Sequence, residues 1–272
     1  MRSRLLCLGL PLALFAGDAL AWGLATHLFY AQYLLLAIPL ADAGFRRAAL
    51  RLPRLVLAGA CLPDLALTGR ALSTTAFRGT HRWRTLARVT QGCTCDEERA
   101  IALGYASHLL SDIVAHHHFV PESERRIAPL PYATHALCEW AMDHHLGAAL
   151  FSAPGDVLSA ERGVLADFVA QRFDCATALA GRAVGLLAGA DRLLRASPLP
   201  RLSLAVARGF DRRAGRRFEA YVRETSLRLA HIDALLEGKR PLRAAEPARS
   251  SLRGDPLQVW QRGRLVLPGS LL

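Results

Sequence analysis

His108 and Asp112 stand four residues apart in SHLLSD, and His135 and Glu139 repeat that interval in HALCE. On a helix the interval puts two side chains one turn apart on one face. An imidazole nitrogen and a carboxylate so placed can grip a single ion. His116 extends the first face by another turn. Two such pairs on neighbouring helices predict a metal site inside a helical bundle. Imidazole with carboxylate suits zinc best among the common ions, with manganese and iron also open. A lone pair at this spacing arises often by chance. Here nine of the ten histidines lie between His27 and His145, and only His231 falls outside, which packing alone does not explain.

The remainder of the chain has to position these residues, and its pattern is helical. Apolar residues recur at intervals of three and four with almost no sustained alternation, so the expected fold class is all-α. Periodicity and punctuation predict helices over 23–38, 44–68 (broken near Pro53 and Pro63), 97–118, 132–151, 157–172, 175–195 and 202–236. The stretches 69–96 and 120–131 read as loops. Residues 22–238 are expected to form one multi-helix bundle domain. Residues 239–272 read as an irregular C-terminal tail packed on the same domain, with LQVWQRGRLVLPG open to a small hairpin. Arg208, Arg212, Arg213, Arg216 and Arg217 read as a solvated helix face.

A chain of 272 residues with 52% hydrophobic content can bury a full-sized core. Its first 21 residues have the form of an export signal: Arg2 and Arg4, the apolar run LLCLGLPLALFA, then Ala19-Leu20-Ala21 as a cleavage site. The run is too short for a stop-transfer helix. Cleavage makes Trp22 the first residue of a periplasmic or secreted protein. The formal charge of +11 falls to +10 on loss of Arg2, Arg4 and Asp18, so anionic partners are favoured. Five cysteines remain, Cys61, Cys93, Cys95, Cys138 and Cys175. The number is odd and no paired CxxC occurs, so at least one thiol is unpaired, while a disulfide through Cys93 or Cys95 stays open.

The set of residues resembles the zinc-dependent phospholipase C family, whose superfamily also contains the single-strand-specific zinc nucleases. That resemblance implies an all-helical exported phosphodiesterase with a trinuclear zinc site, acting as a monomer. It implies that Trp22, in WGLATH, binds zinc through its free α-amine and carbonyl oxygen, with His27 beside it. It carries the ligand role to Asp64 in CLPDLAL, His81 in GTHRW, His108 and Asp112 in SHLLSD, and His135 and Glu139 in HALCE. Family members place one more histidine six residues after the bridging aspartate, which selects His118, and usually carry a proline between the two. That proline is missing here. On an undistorted helix position 116 lies about 40° from Asp112 around the axis and position 118 about 120° away, so geometry favours His116 with His118 as runner-up.

The resemblance further implies hydrolysis of a phosphodiester by a metal-activated hydroxide, with Asp64 and Asp112 as catalytic residues that both bind metal and orient or deprotonate the hydroxide. Phospholipid at a membrane surface is the first expected substrate, from the HxxxE pair, the Pro-Asp form and the apolar loops. Single-stranded nucleic acid is the alternative. The WGxxxH spacing and basic charge favour it, whereas 7% aromatic content offers little base stacking. A third reading is an exported metal-binding protein of the envelope without turnover. A di-iron bundle needs more carboxylates than the chain supplies.

Overall fold

The computed structural model describes residues 23–127 and 131–241, together with residues 243 and 245. Trp22, the expected export signal and nearly all of the expected tail lie outside the described residues. Within them every regular element is a helix. In chain order these are α1 (Leu24–Ala37), α2 (Ala43–Arg51), α3 (Pro53–Gly59), α4 (Leu65–Ala71), α5 (Trp83–Thr90), α6 (Asp96–Val114), α7 (Val120–Arg126), α8 (Pro131–Leu146), α9 (Pro154–Ala160), α10 (Arg162–Phe173), α11 (Thr177–Ala196), α12 (Leu199–Phe210), α13 (Ala214–Leu229) and α14 (Ile232–Leu236). No helix among the described residues is long and apolar enough to cross a membrane.

The breaks expected at Pro53 and Pro63 are present, because each proline opens a new helical turn where a missing N–H costs nothing. The stretch 69–96 is not all loop. It contains α5, whose buried Thr85, Leu86 and Val89 face the core from an otherwise polar segment. The stretch 120–131 likewise opens with α7. The long helix expected over 202–236 is three: Asp211 ends α12, and Ala230-His231 separates α13 from α14. The expected helix over 157–172 divides at Glu161. Arg208, Arg212, Arg213 and Arg216 are exposed, whereas Arg217 is drawn inward to Asp211 at 2.6 Å. All five cysteines from Cys61 onward are free thiols.

α6 is the axis of the bundle. Every residue from Ala100 to Val114 is buried, so the helix has no solvent face and packs against α1, α2, α3, α5, α13 and α14. Its N-terminal turn carries Asp96, Glu97 and Glu98, which complement the helix dipole, and Asp96 pairs with Arg47 and Arg51 of α2. Glycine decides how closely α3 approaches. A Cβ at Gly104 would overlap the Val56 carbonyl oxygen and stand 2.7 Å from the Ala60 amide nitrogen. A Cβ at Gly59 would collide with the Ile101 backbone in the same way. Two helices therefore meet backbone to backbone one turn before His108. α8 lies across the bundle against α1, α7 and α12.

Candidate metal centre

Five donors from four parts of the chain meet beside α6. His27 comes from the first turn of α1, Asp64 from the 3₁₀ turn Leu62–Asp64, His81 from the loop before α5, and His108 and Asp112 from α6 itself. All five are buried. Their hydrogen bonds point each ring inward. His108 Nδ1 donates to the Ala60 carbonyl at 2.7 Å, which turns Nε2 toward the cluster. Ser111 Oγ donates to the His108 carbonyl at 2.8 Å, so it accepts from His27 Nδ1 at 3.1 Å and leaves His27 Nε2 facing Asp112. The His27 and His108 rings are stacked at 3.4 Å with 9° between their planes.

The donor separations suit metal. His27 Nε2 is 3.3 Å from Asp112 Oδ1, and His108 Nε2 is 3.2 Å from Asp112 Oδ2. His81 Nε2 is 3.1 Å from His108 Nε2, 3.5 Å from Asp64 Oδ1 and 3.7 Å from Asp112 Oδ2. Two ligands on one tetrahedral zinc, at about 2.0–2.2 Å each, are separated by about 3.4 Å. Both Asp112 oxygens are buried and accept no hydrogen bond. A carboxylate so enclosed is unfavourable unless a cation compensates it, and nitrogen lone pairs converging on it worsen the repulsion. Two donor sets, His27 with Asp64 and His108, and His81 with His108 and Asp112, each fall within 4.8 Å and share His108. The overlap makes this a site for more than one metal ion.

A second neighbourhood adjoins the first. His135 Nε2 lies 2.8 Å from Glu139 Oε1, and the His116 and His135 rings meet edge to face at 5.6 Å. Burial, followed by the charges of His135 and His81, pushes the His116 imidazole well below its ordinary pKa, which keeps it neutral as a ligand must be. Burial, followed by the charges of Asp64, Asp143 and Asp112, pushes Glu139 well above the usual carboxylate range. Crowding of carboxylates with so little solvent again calls for cations.

The two candidate histidines after Asp112 part company. The helix here is not undistorted: Ala115–Phe119 forms a π turn. Pro121 supplies the reason, since it has no N–H for the carbonyl one turn back and its ring crowds that carbonyl, and a wider turn relieves both. With this register His116 turns toward His135, and His118 turns to the C-terminal side. There His118 Nε2 accepts from Arg243 Nη1 at 3.1 Å, and the Tyr221 hydroxyl reaches the His118 carbonyl at 3.5 Å. Burial chiefly pushes the His118 pKa down to about 4. His116→Ala should weaken zinc binding by at least about 100-fold, the upper end of what losing an outer-shell partner costs, while His118→Ala leaves zinc affinity within a few-fold. Competition with a chromophoric chelator measures both.

Asp143 escaped the sequence reading. It lies one turn beyond Glu139 on α8 and caps α1, its carboxylate accepting from Thr26 N at 2.9 Å, Thr26 Oγ1 at 2.6 Å and Ala25 N at 3.3 Å. A Cβ at Gly23 would overlap that carboxylate. Burial raises its pKa to about 7, against the hydrogen bonds from Thr26. The stripe His135, Glu139, Asp143 was the available signal: its last member holds the start of the helix that delivers His27. His144 is exposed, and His145 packs edge to face on Phe218.

A family model described as zinc dependent phospholipase C matches residues 26–162. No curated protein and no solved structure matches the chain. The match runs over half of the sequence and takes in all eight of the donors that gather beside α6 and α8, from His27 to Glu139. By that match the chain belongs to the zinc-dependent phospholipase C family.

Proposed function

We propose that this zinc-dependent phosphodiesterase cleaves phospholipids, as an exported protein with three zinc ions. The observation that carries the reading is the convergence of His27, Asp64, His81, His108 and Asp112, with both Asp112 oxygens accepting no hydrogen bond, in a chain of this family. Bound zinc supplies positive charge that acidifies water and polarises a phosphoryl oxygen. The protein's own residues do the positioning. Ala60 and Ser111 hold His108 and His27 in the orientation that aims Nε2 inward. Asp112, at the convergence of three histidines, fixes the spacing between donors. Asp64, at the rim of the cluster and 3.5 Å from His81, is the carboxylate placed to orient an attacking water and accept its proton.

The third ion comes from the family resemblance, in which the residue before Gly23 supplies the amino-terminal ligand; Gly23 leads into α1 four positions before His27. Residue 22 lies outside the described residues, and the ligand role of its free amine is what the family resemblance implies. An extra residue before Trp22 converts the amine into an amide, which does not ligate zinc. Such an extension should lower bound zinc relative to the form beginning at Trp22, read by metal analysis of the two proteins. Equal zinc in both forms refutes the amino-terminal ligand.

Short-chain phosphatidylcholine and single-stranded DNA, assayed side by side with zinc, decide the substrate. Phosphatidylcholine hydrolysis that disappears on chelation and returns with zinc is expected. Preferential cleavage of DNA would transfer the site to the nuclease reading, and activity that survives strong chelation would end both.

A further inference from the structure

α12 has three sectors. Pro200, Ser203, Leu204 and Ala207 are buried, on the side that rests on α8. Leu202, Val206 and Phe210, each four residues from the next, form a stripe that is 54%, 40% and 62% exposed. Ala205 and Gly209 lie beside the stripe, on the side away from Ser203, and are exposed as well. At about 100° per residue Arg201 and Arg208, two turns apart, share the far edge of the exposed side, across Ala205 and Gly209 from this stripe. Both are exposed, and Arg212, Arg213 and Arg216 continue the positive charge past the end of the helix. The acid within this stretch, Asp211, is already paired with Arg217.

A globular protein has no packing use for leucine, valine and phenylalanine lined up on the outside of a helix, and single exposed apolar residues are ordinary where a continuous stripe is not. The placement relative to the metal centre is informative. Leu199, in the first turn of α12, packs against the cluster of Ala136, Trp140 and Leu194, as does Leu67. Leu67 is three residues beyond Asp64, and Ala136 follows His135, so the helix starts beside two elements that carry donors.

We propose that the exposed face of α12 docks the protein on an anionic phospholipid surface. The stripe enters the acyl boundary while the arginines meet lipid phosphates, the arrangement of helices that lie in a membrane interface. Charge selects this occupant: a protein of formal charge +10 without the expected export signal has an exposed helix side that runs from an apolar stripe to Arg201 and Arg208, with three more exposed arginines just past the helix. The proposal rests on the reading that the substrate is a phospholipid.

The test is flotation of the zinc-loaded protein with vesicles of phosphatidylcholine, with and without phosphatidylglycerol. Binding to the mixed vesicles is expected, falling roughly 30-fold in Arg201→Gln/Arg208→Gln, since each interfacial arginine contributes about 1 kcal/mol, and at least about tenfold in Leu202→Ser/Phe210→Ser, which removes the apolar area that would enter the lipid. Hydrolysis of monomeric short-chain phosphatidylcholine should be unchanged in both variants. Variants that float like the parent overturn the proposal. So does loss of a self-associated species in sedimentation with vesicle binding intact, which assigns the stripe to a second copy, or a lower melting temperature with vesicle binding intact, which assigns it to residues 246–272. Flotation requires no turnover. Docking without any phosphatidylcholine hydrolysis by the parent would therefore fail the substrate reading alone.

Discussion

Asp112→Asn is expected to give a folded protein that has lost its metal and its activity. The substitution keeps the shape of the side chain, removes its negative charge and replaces one oxygen with an amide nitrogen that cannot ligate. Since the carboxylate faces His27, His81 and His108 at 3.3, 3.7 and 3.2 Å, it bears on both donor sets. Charge stabilisation by a metal is worth several kcal/mol, so hydrolysis should fall by roughly 10³-fold. Stability separates this from simple unfolding. In the metal-free parent the carboxylate is fully buried and accepts no hydrogen bond, an arrangement that destabilises the fold. The metal-free variant should therefore melt no lower than the metal-free parent. Zinc should raise the melting temperature of the parent and scarcely that of the variant, because only a ligand bound to the native state adds stability. Thermal melts with and without zinc, beside metal analysis, make the comparison. A variant that keeps its full complement of zinc would contradict the role given to Asp112.

Gly104→Ala acts through the fold and reaches the same centre. A methyl group at 104 has no space against the Val56 carbonyl and the Ala60 amide, and neither is the movable end of a side chain. α3 and α6 must separate. Alanine improves helix propensity by about 1 kcal/mol, and overpacking of this kind costs about 3 kcal/mol or more, so the clash prevails. A net loss of about 2 kcal/mol lowers the melting temperature by roughly 4–8 °C in a chain of this size. Separation of the helices also withdraws the Ala60 carbonyl from His108 Nδ1, now 2.7 Å away. Losing such an outer partner weakens metal binding by about 10- to 100-fold. Gly189→Ala is the control: it lies within α11 with nothing in reach of an added Cβ, and should be neutral or slightly stabilising. If Gly104→Ala matches that control in melting temperature and zinc affinity, the backbone contact does not position the site.

Much about the metal centre is local and could be read along the chain. The four-residue spacing of His108 with Asp112 and of His135 with Glu139 guarantees a shared helical face wherever those helices go. Apolar periodicity determined the helical class for the same reason, since it records which side of each turn avoids water. Prolines 53 and 63 marked real breaks because a missing N–H is a property of one residue.

What the spacing left open was every quantity that depends on two segments at once. α5 was invisible because three buried residues, Thr85, Leu86 and Val89, make a weak pattern that only the surrounding bundle rewards. Regular-helix angles favoured His116 over His118 without excluding the latter, and in the structure the π turn before Pro121 carries His116 against His135 and His118 to Arg243. Asp143 looked like one more polar residue at the end of α8, and its partners at Ala25 and Thr26 are more than a hundred residues away. The sequence determined which side chains share a turn. Only the tertiary structure decided which turns share a pocket, because that distance is set by backbone contacts such as Gly59 with Ile101, where the atom that matters is the side chain that is missing.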